Sequence, residues 1–201
     1  MKHPVVSIAL VAITAIVLSA RYGTAAPPAA DIGKKAPTFT LKDYNGNEHS
    51  LATFLQHKYT VLMFIATQCP VSNDYNERMA NLHNDYAAKD IAFVGINSNK
   101  QESIEEIKEH SAKNGFGFVV LKDWNNVVAD AYGAQFTPEV YVLNSDGVTV
   151  YHGRIDDGRN PEKIKTHDLR ETLDALLAGK PVPKPETKAF GCTIKRVKKE
   201  S

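Results

Sequence analysis

Polar and apolar residues alternate over positions 38–41, 139–143 and 148–154, the period of strands with one face buried. Two other stretches differ. Residues 59–66 (YTVLMFIA) and 91–96 (IAFVGI) are almost continuously apolar, which predicts strands covered on both faces. Residues 118–121 add a short strand. Helical spacing takes over between these runs. Met79, Leu82, His83 and Tyr86 share one side of a helix predicted over 70–89. A charged amphipathic helix follows at 103–113, stopped by Asn114-Gly115, and a short one at 125–132, stopped by Gly133. Leu169, Leu173, Leu176 and Leu177 line the inner face of the last helix, 166–177. Ser50 is placed to cap a short helix over 51–56. Tyr44-Asn45-Gly46-Asn47 and Asn144-Ser145-Asp146-Gly147 are turn sequences joining hairpins. Trp124 reads as a packing residue.

This order is a β-hairpin, then alternating strands and helices, then a closing hairpin and helix. It predicts an α/β fold: a central mixed sheet with parallel inner strands, helices on both faces and an N-terminal β-hairpin extension. Reactive loops in such a sheet lie beyond the carboxyl ends of the parallel strands. Two loops qualify, Thr67-Gln68-Cys69 and Asn97-Ser98-Asn99.

The ends of the chain read differently. Met1-Lys2-His3 begins a basic start, residues 5–20 form a 16-residue stretch without a charge, and Gly23-Thr24-Ala25-Ala26 supplies small residues. That pattern predicts a signal peptide over 1–26, with an uncleaved signal anchor as the alternative. Residues 27–35 read as a Pro/Ala/Gly/Lys linker, 36–178 as the folded domain, and 179–201 as a Pro/Lys tail carrying Cys192. Export to the periplasm or the extracellular space follows, where a two-cysteine chain can hold a disulfide.

Composition narrows the chemistry. In 201 residues, 43% are hydrophobic and 23% charged, ordinary for a globular protein. A net charge of +1 offers no basic surplus for nucleic acid. His57, His83, His110, His152 and His167 are scattered with no metal-ligand spacing, and no Gly-rich phosphate loop occurs. Neither a metal nor another cofactor is called for. Asn73, Tyr75, Glu77, Arg78, Asp156 and Asp157 are polar residues within reach of the first loop, equally consistent with a solvated surface.

The two cysteines remain. Cys69 falls where a buried strand ends and a helix starts, and Pro70 suits the first helical position. Free backbone N–H groups and the positive helix end favour a thiolate there, so Cys69 is expected to be reactive. Around it, Phe64-Ile65-Ala66-Thr67-Gln68-Cys69-Pro70-Val71-Ser72 resembles the F-W-A-T-W-C-P-P-C turn of TlpA-like thioredoxin-fold proteins. Ile32 through Leu41, with Asn45-Gly46, resembles the opening of redoxins, the alkyl hydroperoxide reductase/thiol-specific antioxidant superfamily. Thr137-Pro138 and the Ser145-Asp146-Gly147 hairpin match later landmarks of the fold. The resemblance covers residues 31–177, and within it a peroxiredoxin-like subgroup pairs such a turn with an ending like Gly191-Cys192-Thr193-Ile194-Lys195.

Two departures qualify what the resemblance implies. Ser72 stands where the thioredoxin C-x-x-C has its second cysteine, so no local two-residue disulfide can form. The peroxiredoxin pattern P-x-x-x-T-x-x-C finds Leu62 for the proline and Ala66 for the threonine, which argues against efficient peroxidase activity. Thr67 is one residue out of register with that threonine. By the resemblance, Pro138 is a cis-proline facing Cys69, and Thr137 presents backbone to a bound substrate chain. Thr67, Pro70, Ser72, Thr137 and Pro138 are thus expected to shape the site. Cys192 is open to three roles: a resolving thiol for Cys69, one half of a static Cys69–Cys192 staple, or an intermolecular bridge.

The function implied is an exported thiol–disulfide oxidoreductase with Cys69 as nucleophile and Cys192 as its partner. A weak thiol peroxidase of antioxidant type, or a non-catalytic binding module with a structural disulfide, are the alternatives. Its partners are a protein or small-molecule disulfide or a peroxide, and an external thiol reductant. A membrane enters only through an uncleaved leader. The tail is expected to act as an extended spacer that folds back and buries Phe190 and Ile194 beside Cys69.

Overall fold

The computed structural model describes residues 30–199; the predicted leader lies outside the described residues. A seven-stranded mixed sheet forms the centre. Its strands are β1 (Thr40–Asp43), β2 (Glu48–Ser50), β3 (Tyr59–Phe64), β4 (Ile91–Asn97), β5 (Val119–Lys122), β7 (Glu139–Asn144) and β8 (Thr149–Gly153). Their spatial order is β2-β1-β5-β4-β3-β7-β8. β3 runs parallel to β4, from Tyr59 opposite Ile91 to Phe64 opposite Ile96, and β4 runs parallel to β5. β7 and β8 add antiparallel strands beside β3, and the β1–β2 hairpin extends the other edge.

The all-apolar β3 is explained by two cores. Leu62 and Phe64 point to one face, packed with Leu51 and Phe54 of α1 (Leu51–Phe54) and Val128, Ala129 and Tyr132 of α5 (Val127–Tyr132). Val61 and Met63 point to the other, against α3 (Asn76–Tyr86), α4 (Ile104–Lys113) and α6 (Asp168–Leu177). All four side chains are fully buried, each worth about 1.5–3 kcal/mol. α4 begins in a complete capping box, Ser103 and Glu106 each bonding the other's backbone N–H.

Four expectations are corrected. The helix predicted over 70–89 is broken into α2 (Pro70–Asn73), α3 and a terminal 3-10 turn. The break comes where the Tyr75 N–H bonds Ser72, three residues back, tightening the turn so that α3 starts afresh at Asn76. The helix predicted from 125 starts at Val127, because Asn125 and Asn126 adopt left-handed backbone. Trp124, expected to pack, is 54% exposed, with the Lys122 ammonium 4.8 Å from its ring. Residues 30–35, expected to be loose linker, lie on the closing hairpin: Ala30 is buried, the Gly33 N–H donates to Thr149 O at 2.8 Å, and Lys35 bridges Val148.

The tail folds back as expected, but from Pro185 onward it is hydrogen-bonded to the domain rather than acting as a free spacer. The His152 N–H donates to Pro185 O (2.9 Å), and the Thr187 N–H donates to His152 O (3.0 Å). Gly153 permits this approach, since a Cβ there would stand 2.0 Å from the Thr187 hydroxyl. Phe190 then packs on one core and Ile194 is buried in the other, so the tail crosses the carboxyl end of the sheet between the two faces. Within that crossing, β9 (Cys192–Thr193) pairs antiparallel with β6 (Phe136–Thr137). Beyond it, the Ile194 N–H bonds Gln135 O, the Lys195 N–H bonds Asn99, and Arg196 and Lys199 reach Asp130.

Candidate active site

Cys69 stands at the carboxyl end of β3, as the N-cap of α2, with Pro70 in the first helical position. It is 3% exposed. The Ser72 N–H donates to its sulfur at 3.2 Å, and its thiol faces the Thr137 carbonyl at 3.4 Å. Because α2 is only one turn long, the sulfur is served by individual N–H groups and not by the summed dipole of a long helix. The Ser72 side chain also braces the turn, its hydroxyl oxygen accepting the Ala66 N–H (3.2 Å) and closing the loop on itself. The Thr67 carbonyl accepts from the Asn73 side chain, and the buried Thr67 hydroxyl finds no partner among the described residues.

The loop before Cys69 is held by a residue that sequence reasoning missed. Glu102, buried just ahead of the α4 cap, accepts the Thr67 N–H (2.8 Å) on one oxygen and the Gln68 N–H (3.1 Å) on the other. Asn97 and Asn99 donate to the same carboxylate, and the buried Lys122 ammonium donates to Asn97 and to the Asn99 carbonyl. The second predicted loop, 97–99, is therefore a support for the first. An acidic residue one place before a helix cap carries no local sign of this role.

From the opposite side comes Thr137-Pro138, whose peptide bond is cis. Buried Glu139 fixes the approach to it by accepting the Gln135 and Phe136 N–H groups and pairing with His152 at 2.8 Å. Burial alone would raise the Glu139 pKa. The His152 imidazole and these N–H groups outweigh it, and the carboxyl sits below its ordinary range.

Cys192 is brought to this place by strand pairing, directly opposite Thr137. Gly191 is required by closeness: a Cβ there would lie 2.1 Å from the Thr137 carbonyl oxygen. Both cysteines are free thiols. Burial opposes ionisation of Cys69, but hydrogen bonds from the Cys192 thiol, the Thr137 side chain, the Ser72 N–H and the Cys192 N–H prevail and lower its pKa. Cys192 moves the other way. Burial and the neighbouring Cys69 sulfur raise its pKa, against a hydrogen bond from the Val71 N–H. The two thiols are thus shifted in opposite directions.

The matching stretch is residues 32–152, against the AhpC/TSA family. The chain belongs to that family. Cys192 lies beyond the matched stretch. Among solved structures, an uncharacterized conserved protein from Geobacillus kaustophilus is 36% identical with TM-score 0.80, covering 85% of this chain and 94% of its own. A hypothetical protein from Sinorhizobium meliloti is 35% identical with TM-score 0.77, covering 83% and 95%. Of curated proteins, the thiol-disulfide oxidoreductase ResA of Halalkalibacterium halodurans is 27% identical over 118 residues, 59% of this chain and 65% of its own length. A putative peroxiredoxin of Mycobacterium tuberculosis is 28% identical over 120 residues, 58% of this chain and 72% of its own. The chain thus spans just under two thirds of ResA.

Among AhpC/TSA proteins this chain is a redoxin with a thioredoxin-like sheet. Of the remaining polar candidates near its site, Asn73, Tyr75, Arg78 and Asp156 are tied into the scaffold, and Glu77 is exposed. Arg78 stacks on the Tyr75 ring at 3.6 Å and donates both to buried Asp156 and to the Gly158 carbonyl, tying α3 to the 156–160 loop. Asn73 and Asn76 meet His110 of α4. His83 packs edge-on to Phe93 and Phe118. No helix among the described residues is long and apolar enough to cross a membrane.

Proposed function

We propose that this redoxin is an exported thiol–disulfide oxidoreductase in which Cys69 is the nucleophile and Cys192 the resolving thiol. The observation that carries this is the pairing of Cys192 with Thr137, the residue whose carbonyl lies 3.4 Å from the Cys69 sulfur. Thr67, Pro70 and Ser72 shape the turn, and Thr137 and cis-Pro138 form the wall opposite.

The Cys69 thiolate attacks one sulfur of a substrate disulfide. A Cys69–substrate disulfide forms, the substrate S–S bond breaks, and the second substrate sulfur leaves as a thiolate that takes up a proton. Cys192, losing its proton, attacks the Cys69 sulfur and expels the remaining substrate thiolate. Two electrons pass from the cysteine pair to the substrate, leaving a Cys69–Cys192 disulfide. An external thiol reductant restores both thiols. Export rests on the leader pattern over 1–26; residues 30–35 go with the domain they dock on, and 179–201 is the carrier of Cys192.

Peroxide is the weaker substrate. The position of the peroxiredoxin threonine is held by Ala66, which has only an N–H to offer and gives it to Ser72.

Alkylation of the reduced protein across pH tests the assignment. Cys69 should react with an apparent pKa below the ordinary thiol value of about 8.5, and Cys192 with one above it. Cys69→Ser should abolish disulfide reduction, and Cys192→Ser should form the mixed disulfide and stall there. An unshifted Cys69, or full turnover by Cys192→Ser, would overturn it.

A further inference from the structure

The backbone edge beside the nucleophile is already occupied. β9 lies antiparallel on β6, with Thr193 opposite Phe136 and Cys192 opposite Thr137. The two backbones are so close that Gly191 has no room for a side chain. Cys69 is almost inaccessible beneath them, enclosed by Ser72, Thr137 and Cys192.

An extended peptide that presents a disulfide to Cys69 needs an edge to lie on. The tail shows which edge places a cysteine against that sulfur. One face of one strand pairs with one partner at a time, and an added strand gains its affinity from those same main-chain bonds. We infer that β9 is an internal competitor: it holds the place of an extended protein-disulfide substrate, so protein disulfides, which need that whole edge, reach Cys69 only when the tail lifts, whereas a small disulfide needs only the sulfur briefly uncovered and is hindered less.

The anchors suit such a movement. Residues 188–199 run on from the Thr187 attachment to β8, and their far end is held by Arg196 and Lys199 on half-buried Asp130. Return of the strand then joins two events. Cys192 attacks the Cys69 sulfur of the mixed disulfide, the Cys69–Cys192 bond forms, the substrate leaves as a thiolate, and the edge it lay on is refilled.

This inference rests on Cys69 being the nucleophile, and the test separates the two claims. Cys192→Ser, which keeps the β9 backbone, is reduced and offered either oxidised glutathione or insulin, and the rate of mixed-disulfide formation is read by mass. Glutathione should cap Cys69 readily and insulin slowly. Adding Gly191→Val, whose side chain cannot fit against Thr137, should speed insulin capture about tenfold, by raising the open fraction, and change glutathione capture less than about twofold. Asp130→Ala loosens the far end of the tail without touching the site, and should act in the same direction more weakly should the valine variant not fold. Equal acceleration of both reagents, or capture of insulin by the closed protein as fast as glutathione, overturns the inference while leaving the nucleophile assignment standing. No capping by glutathione in any variant overturns both.

Discussion

The two cysteines sit side by side but are held by opposite kinds of structure. Cys69 is placed by its neighbours in sequence: a strand end, a proline, a one-turn helix and the Ser72 N–H, all within a few residues. Cys192 is placed by residues from across the chain: Thr137, Gln135, Asn99 and Asn126 through backbone groups of 192–197, and Asp130 through the Arg196 side chain. The first is buried in a turn that follows directly on the buried strand β3. The second is held by edge pairing and by Ile194, contacts that can be released without opening the sheet. Burial opposes charge on both sulfurs, but the strap's Cys192 thiol, with Thr137 and the Ser72 N–H, lowers the Cys69 pKa, whereas the neighbouring Cys69 sulfur raises that of Cys192 further.

The largest test of this contrast is Glu102→Ala. It strips the acceptor from the Thr67 and Gln68 N–H groups and from the Asn97 and Asn99 side chains, and takes one of three carboxylates from around buried Lys122, so it should cost about 3–5 kcal/mol of global stability, measured by urea unfolding. It should also slow Cys69 alkylation at neutral pH. A loss under 1 kcal/mol, roughly that of one ordinary hydrogen bond, would mean the turn holds itself.

Ile194→Ala addresses the tail. Removing a buried aliphatic side chain costs about 2–5 kcal/mol, but the loss should fall on the strap. Amide exchange at Ile194 and Lys195 should accelerate while the unfolding midpoint moves little. A drop in the midpoint as large as that of Glu102→Ala would show tail and sheet to be one cooperative unit.

The smallest effect is expected from Ala66→Thr. It supplies the hydroxyl of the peroxiredoxin pattern, yet Leu62 also departs from that pattern and the Ala66 N–H is committed to Ser72. Hydrogen peroxide consumption should stay slow in wild type and variant alike, followed by peroxide loss under a thiol reductant. A wild type with peroxiredoxin-like rates would show that Cys69 needs no threonine here.

The sheet, its parallel centre and the site turn were legible in the sequence because their signals are local. Two apolar runs, Pro70 after Cys69 and the Asn-Gly and Ser-Asp-Gly turns each report on the backbone within a few residues. The break at Asp74-Tyr75 was not legible, because helical periodicity survives a single tightened turn. Nor was Glu102, whose role exists only where the α4 start meets the loop after β3. The tail was half legible. Its prolines exclude a helix and Phe190 and Ile194 ask for burial, as observed, but the prolines do not say that the backbone around them is bonded. Gly191 shows the limit most clearly. In sequence it is a glycine before a cysteine; in the fold it is the only residue that fits against the Thr137 carbonyl. Spacing along the chain determines which groups are strand, turn or helix. Which unpaired backbone edge a distant segment covers depends on where the folded sheet leaves one, and that the tertiary structure alone decides.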